Sequence, residues 1–174
     1  GLDRVGWEYE ENEHKMEPYG IGMWVGDGHS RGTAITTIDT EVIDYIKKKA
    51  DDYGLFVHVN PDMISYRMTT KVCGKDNFVL SELRNLNLLQ NKHIPKKYLI
   101  DSRENRMQLL AGLVDSDGHV DASSTTIGTH RSIEITQKKP VLSMQIQELC
   151  LSLGFYCSLN KKTATMKRKD GSVY

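Results

Sequence analysis

A run of small and apolar residues that leads directly into an Asp-Gly pair occurs twice in this chain, and it constrains the fold more than any other feature. The two copies are 20-GIGMWVGDG-28 and 110-LAGLVDSDG-118. Aligning Asp27 with Asp117 sets the copies 90 residues apart (117 − 27), the length of a small half-domain rather than of a solenoid repeat. The sequence therefore predicts two similar halves, each opened by a helix that ends in an acid.

Each half repeats one order, in which the motif helix comes first: helix, two strands, helix, two strands. After the first copy, apolar periodicity and turn residues predict a strand at 31–37, a helix at 40–54, and strands at 55–60 and 63–72. After the second copy, the same signals predict strands at 119–128 and 131–137, a helix at 140–154, and strands at 155–160 and 163–169. The second half is thereby given a hairpin about ten residues longer than its counterpart.

The first half continues with a predicted helix at 77–91 and a loop at 92–105, for which the second half has no counterpart. The expected organisation is a solvated lead-in segment at 1–17, a first half at 18–100 and a second half at 101–174 that is truncated at the C-terminus. Both halves mix helices with short strands, so the predicted fold class is α+β.

Composition excludes several functional classes. No apolar run approaches the roughly 20 residues of a membrane span, and no signal peptide is visible, so an intracellular location, nuclear or cytoplasmic, is expected. The three cysteines, Cys73, Cys150 and Cys157, form no CxxC pair. This argues against zinc ribbons and thioredoxin-like chemistry, and favours buried or incidental thiols in a reducing compartment.

Charge is evenly balanced in number but not in position. The 23 Lys and Arg residues offset 23 Asp and Glu residues, which is mild evidence against a nucleic-acid binder. The stretch 161–171 is nevertheless basic, so a neutral total can hide a basic face.

The two motif helices are expected to cross closely. Two helices can approach each other most closely where small residues four positions apart face the seam. Such residues are Gly22 and Gly26 in the first helix and Gly112 and Ser116 in the second. A crossing at these faces would bring the helix ends, and with them Asp27 and Asp117, close together.

Two adjacent carboxylates repel each other unless they are protonated or bridged by cations. Mg²⁺ prefers oxygen ligands, commonly one or two carboxylates with water and substrate phosphate. A close Asp27–Asp117 pair therefore suggests a two-metal phosphodiester site. The alternative is that each Asp-Gly only turns the chain after a helix, but two copies on matched glycine helices favour the site.

The second copy differs at two positions from the name-giving motif of the LAGLIDADG homing endonucleases, and the first resembles the looser first motif of single-chain members. The resemblance extends over nearly the whole chain. It implies two pseudo-symmetric αββαββα halves whose sheets form a DNA-binding saddle. The stretches 92–99 and 144–160 resemble the endonuclease domains carried in inteins. A splicing module itself is disfavoured, because the terminal splicing residues are missing.

The resemblance also implies roles for residues. Asp27 and Asp117 would bind two or three Mg²⁺ ions, with the backbone carbonyls of Gly26 and Ser116 as additional ligands. Lys92 stands where intein endonucleases use a lysine to organise water and stabilise the phosphate, and its second-half partner is expected beyond Tyr174. Asp115 falls at a position more often used at a helix end or interface. Gly22 and Gly112 would form the helix interface.

The exposed faces of the strands are expected to bind DNA through groove contacts and backbone contacts. In 63–72, Ile64, Tyr66 and Met68 suit the core, while the alternate residues suit the groove. His29 and His119 either sit beside the scissile phosphates or start the strands that leave the site. The candidates for DNA contact are Arg31, Thr33, Arg67, Thr69, Lys71, Arg131, Glu134, Lys161, Lys167 and Arg168.

The function predicted is that of a monomeric, internally pseudo-dimeric, Mg²⁺-dependent endonuclease that cuts one strand of a double-stranded DNA site with each half. The alternative is a protein of the same fold that binds nucleic acid without cutting, either a decayed endonuclease, an RNA-splicing maturase or a DNA-binding regulator. Both metal-binding acids are intact, which favours the enzyme.

Overall fold

The computed structural model describes residues 6–72, 74–125 and 128–162 of the chain, and the fold is α+β. Six helices and five strands lie in these ranges. In chain order they are α1 (Pro18–Asp27), β1 (Ala34–Thr36), α2 (Thr40–Asp52), β2 (Phe56–Val59), β3 (Ser65–Thr69), α3 (Phe78–Asn85), α4 (Lys96–Leu99), α5 (Arg103–Asp117), β4 (Gly118–Thr125), β5 (Gly128–Ile135) and α6 (Pro140–Ser152).

The strands form two small antiparallel sheets. One is three-stranded in the order β1-β3-β2, and the other is the β4-β5 hairpin. The hairpin begins with Gly118 opposite Ile135. In the first half the corresponding pairing is a single bridge between Gly28 and Ile35. Two full strands therefore follow the motif helix only in the second half. The prediction of two strands at this place in the first half was wrong, because Gly28 forms only a single bridge with Ile35 and β1 has only three residues.

The two halves stay in a fixed correspondence after the hairpins. The offset grows from 90 residues at the first ladder position (118 − 28) to 100 at the second (135 − 35). This confirms the longer second hairpin. Helices α2 and α6 then begin 100 residues apart, and each is followed by a glycine with positive φ, Gly54 at 66° and Gly154 at 86°.

Helix α2 forms where an apolar stripe coincides with a good cap. Its buried residues Val42, Ile46 and Ala50 recur every four positions. The Asp39 carboxylate accepts a hydrogen bond from the backbone N–H of Glu41 and so caps the first turn. Helix α6 begins instead with Pro140, whose missing N–H costs nothing at the first helical position.

Three predicted segments differ in the structure. The helix expected at 77–91 ends at Asn85, because Asn87 and Gln90 take positive φ angles that a right-handed helix excludes. The loop expected at 92–105 contains α4 and the first turn of α5. Residues 155–160 are not in a strand. The partner predicted for them, 163–169, lies outside the described residues, and an extended segment counts as a strand only beside a hydrogen-bonded neighbour.

The core is centred on the crossing of α1 and α5, where Ile21, Trp24, Leu109 and Leu113 are fully buried. No helix in the described part of the chain is both long and apolar enough to cross a membrane.

The end of the lead-in segment packs against the helices instead of extending into solvent as predicted. Met16 is 5% exposed, and the His14 ring stacks on Tyr98 at 4.1 Å between centroids. His14 also bonds to the buried Asp101 carboxylate through its Nε2 atom. Acidic composition alone did not reveal these apolar and aromatic anchors.

Candidate active site at the crossing of two helices

Helices α1 and α5 meet backbone to backbone at two glycines. A methyl group added to Gly22 would lie 2.2 Å from the carbonyl oxygen of Leu109. One added to Gly112 would lie 2.1 Å from the carbonyl oxygen of Tyr19. Real Cβ atoms do not approach backbone this closely, so the seam admits only glycine at both positions.

The seam continues one turn further to the helix ends. A methyl group on Gly26 would lie 1.9 Å from the Ser116 hydroxyl oxygen, which donates back to the Gly112 carbonyl at 2.9 Å. Asp115 faces the same seam, and its carboxylate accepts a hydrogen bond of 2.8 Å from the Tyr19 hydroxyl. Asp115 thus contacts the other helix at the interface, whereas Asp27 and Asp117 are the last residues of their helices.

Both helices stop at their acids in the same way. The N–H of Gly28 donates to the Trp24 carbonyl at 2.9 Å, and the N–H of Gly118 donates to the Val114 carbonyl. Each glycine then turns into extended backbone and starts a ladder. The last helical residues, Asp27 and Asp117, therefore sit side by side at the base of the two sheets.

The carboxyl groups of Asp27 and Asp117 share a hydrogen bond. Burial, followed by the charge of Asp117, raises the pKa of Asp27 to about 6, and the Lys92 ammonium opposes this rise. Two carboxylates this close favour a shared proton or a bound cation over two bare negative charges. The site therefore has an unmet demand for positive charge.

Lys92 supplies part of that charge. Its ammonium donates to the carbonyl of Gly26, a predicted metal ligand, and lies 5.6 Å from the centroid of the Trp24 ring. Burial lowers the pKa of Lys92, while the two site carboxylates work in the opposite direction. The structure thus brings together the predicted residues Asp27, Asp117 and Lys92.

Gln137 joins the site although the sequence did not single it out. Its side-chain amide donates to the Asp117 carboxylate. It lies two residues beyond β5, and under the offset of 100 residues its counterpart is Thr37. Lys139, two residues further on, is exposed and close enough to Lys92 to help lower the pKa of that lysine.

His29 begins a chain of hydrogen bonds on the outer face of the first sheet. Its Nε2 lies 2.9 Å from the Thr36 hydroxyl, which lies 3.0 Å from the Ser65 hydroxyl, and Ser65 donates to the Asp62 carboxylate at 2.6 Å. Because a carboxylate only accepts, every donor in the chain points towards Asp62. Nε2 of His29 therefore donates to the Thr36 hydroxyl.

Several predicted DNA contacts lie on that same face or beside it. Arg67 is exposed in β3, between Ala34 of β1 and His58 of β2. Lys71 and Arg31 are exposed, the latter in the loop before β1. Thr69 is half-buried, and its hydroxyl has no partner among the described residues.

Two expectations about this sheet were wrong. Thr33 is 5% exposed and its hydroxyl donates to the Met68 carbonyl at 2.7 Å, so it holds the sheet together and cannot reach DNA. Ile64 is 40% exposed, because it precedes β3 and follows the turn at Met63, which has positive φ.

The second-half candidates are less fully described. Glu134 pairs with Lys162 and accepts a hydrogen bond of 3.1 Å from Thr136, while Lys161 is exposed. Arg131 lies in β5 opposite Ala122, and its side chain is outside the described atoms. Lys167 and Arg168 lie outside the described residues.

The donor set at the helix ends suits a hard cation. Within residues 6–72, 74–125 and 128–162, no group of three or more His, Cys, Asp or Glu side chains could hold a metal ion. The chain offers two carboxylates and adjacent backbone carbonyls instead. Mg²⁺ is commonly bound by one or two carboxylates together with water and phosphate.

The chain is similar to one known family and to known helicases. The homing endonuclease family matches residues 93–174. The chain is 30% identical over 163 residues to the replicative DNA helicase DnaB of Mycobacterium intracellulare, a match that covers 94% of this chain and 23% of the helicase. It is 28% identical over 157 residues to the ATP-dependent DNA helicase Hel308 of Thermococcus kodakarensis, covering 83% of this chain and 13% of the helicase. The chain thus spans under a quarter of the length of either relative.

Proposed function

We propose that the chain is a site-specific homing endonuclease that hydrolyses double-stranded DNA with bound Mg²⁺, since residues 93–174 match the homing endonuclease family. The observation that carries the proposal is the Asp27–Asp117 pair. Two half-buried carboxylates share a hydrogen bond at the crossing of two glycine helices, beside a half-buried lysine. A structural pair would hardly be kept at this cost, whereas a cation-binding pair requires it.

Asp27 and Asp117 would hold the ions, two or three in number, with the carbonyls of Gly26 and Ser116 beside them. When bound, Mg²⁺ supplies an activated water and stabilises the leaving oxygen of the phosphodiester. The fit rests on the donor set, since two half-buried carboxylates end the crossed helices and backbone carbonyls lie beside them.

The surrounding side chains have distinct tasks in this proposal. Lys92 neutralises the carboxylate pair in the free protein and faces the phosphate in the complex. Gln137 holds the Asp117 carboxylate through its amide and so fixes the orientation of that acid. Such supporting contacts around metal ligands commonly change activity by 10- to 100-fold.

DNA would lie across the outer faces of the two sheets, with each half cutting one strand as a single chain. Arg67, Lys71 and Arg31 give the first sheet a positive outer face, because no carboxylate pairs with them among the described residues. Unpaired cations are available to phosphates and to guanine edges.

We also propose that the chain is an intein-associated insert in a host protein. Two helicases of different kinds match it over nearly the whole chain but over only 23% and 13% of their own length. A unit inserted into unrelated hosts gives this pattern, and the stretches at 92–99 and 144–160 resemble intein endonucleases.

The test is a cleavage assay on a randomised DNA library, in which cut molecules are recovered and sequenced with Mg²⁺ present. The wild-type chain is expected to enrich one long site, and Asp27→Asn and Asp117→Asn to lose at least 10²-fold in cleavage rate. Asp51→Asn, an exposed acid at the end of α2, is the matched control and should cut normally.

Ca²⁺ replaces Mg²⁺ in a parallel binding assay. Tight, sequence-specific binding by a wild-type chain that leaves both strands intact in Mg²⁺ would contradict the endonuclease. It would support the binding-only alternative instead.

A further inference from the structure

We propose that Cys150 and Cys157 are a disulfide-forming pair that a small-molecule disulfide, such as oxidised glutathione, converts into a covalent tie between α6 and the segment 155–160. This site is separate from the carboxylate centre and does not depend on the proposed endonuclease activity.

The two thiols are already in contact. Cys150 lies in the last turn of α6, Cys157 lies three residues past Gly154, and their side chains share a hydrogen bond. The backbone holds the contact from both sides. The Phe155 N–H donates to the Cys150 carbonyl at 3.0 Å, and the Gln147 amide, one turn earlier on the same helix face, donates to the Cys157 carbonyl at 3.2 Å.

The first half has no sulfur at the matching positions. Under the offset of 100 residues, Cys150 corresponds to Ala50 in α2 and Cys157 to Val57 in β2. Ala50 is buried and Val57 packs against the core, while β2 is fixed by its ladder with β3. The segment 155–160 has no strand neighbour among the described residues. The cysteine pair therefore joins α6 to the segment 155–160, which no sheet holds in place among the described residues.

The order of reaction follows from the two environments. Both cysteines are half-buried. Burial and the neighbouring Cys157 raise the pKa of the Cys150 thiol to about 12, so Cys150 stays protonated and Cys157 reacts first. Cys150 lies on a helix and packs against the core, whereas Cys157 lies outside any helix and is not among the side chains packed there.

The chemistry is thiol–disulfide exchange in two steps. The Cys157 sulfur attacks the small disulfide, forms a mixed disulfide and releases one small thiol. Once Cys157 is in the mixed disulfide, its charge no longer raises the pKa of Cys150. The Cys150 thiol then loses its proton and attacks the Cys157 sulfur, which forms the internal bond and releases the second small thiol with that proton. The protein loses two hydrogens and two electrons, and the small disulfide gains both.

The experiment treats a Cys73→Ser background with oxidised glutathione and maps the products by mass spectrometry. Cys73 lies outside the described residues, and its replacement leaves only the proposed pair. The expected product is one internal disulfide with no glutathione retained. The melting temperature is expected to rise by about 5 °C, because the bond closes a short loop in the unfolded chain.

Cys150→Ala in the same background is the matched control, since alanine is the residue at the corresponding place in α2. It should retain one glutathione on Cys157 and return to the free thiol with reductant. Two separate glutathione adducts on the Cys150–Cys157 protein, or an internal bond that leaves the melting temperature unchanged, would overturn the proposed tie.

Discussion

At the scale of single residues, Asp27 serves two opposed requirements. A cation-binding acid must be close to another acid and partly removed from water, and both conditions destabilise its charged form. Burial and the charge of Asp117 together raise its pKa from 3.8 to about 6. The site is therefore expected to weaken the metal-free fold near neutral pH.

Asp27→Asn should raise the melting temperature at pH 7 in a chelating buffer. Because the pKa of Asp27 is higher in the folded chain than in the unfolded chain, its stabilising contribution is complete below pH 4 and is lost as the pH rises through about 6. The amide avoids that loss, worth roughly 1–2 kcal/mol after solvent screening, or about 2–8 °C.

The pH series supplies the internal control for this prediction. The gain from Asp27→Asn should shrink towards pH 4, and Asp51→Asn should show no such trend. An Asp27→Asn variant that melts lower than wild type at pH 7 would contradict the account of the pair.

At the scale of elements, the crossing of α1 and α5 reverses the usual effect of glycine in a helix. An alanine normally stabilises a helix by about 1 kcal/mol relative to glycine. Here the added methyl groups would enter the facing backbone. Packing between helices therefore outweighs intrinsic helix propensity.

Gly22→Ala should destabilise the fold by at least about 2–3 kcal/mol, because the two helices must separate by the size of a methyl group. Gly32→Ala is the matched control, since nothing lies within 4 Å of a methyl group at that position. Urea unfolding followed by circular dichroism measures both. Equal midpoints for the two variants would contradict the close seam.

The elements also show where sequence reasoning succeeds. The helix α2 and the paired motif helices were predicted because short-range periodicity and small-residue spacing determine which faces are buried. Thr33 was assigned to the wrong surface because strand alternation does not reveal a hydroxyl bond to Met68. Gln137 was missed because its approach to Asp117 depends on where a long hairpin ends, which no local pattern specifies.

At the scale of the whole molecule, Arg106 ties together segments far apart in the chain. It is fully buried, and its guanidinium donates to the carbonyls of Trp7, Asp101 and Ser152. No carboxylate forms a salt bridge with it among the described residues. The N-terminal segment, the start of α5 and the end of α6 are therefore joined through one buried cation.

Arg106→Ala should lower the free energy of unfolding by about 3–5 kcal/mol, because a buried guanidinium and its hydrogen bonds to the carbonyls of Trp7, Asp101 and Ser152 are lost. It should also release the N-terminal segment, so that trypsin cuts after Lys15 sooner than in wild type. Arg84→Ala, an exposed arginine on α3, is the control and should change neither measurement. Unchanged proteolysis of the Arg106→Ala variant would contradict the tie.

The contacts at the helix crossing are reciprocal. Gly22 meets the carbonyl of Leu109, and Gly112 meets the carbonyl of Tyr19. The two glycines are 90 residues apart (112 − 22), and so are the residues that supply the two carbonyls (109 − 19). Such a surface is isologous, as in a twofold dimer, because each helix offers the other the same patch. α1 of one chain would therefore fit α5 of a second chain as well as its own. An exchange of halves between two copies would therefore preserve the same crossing.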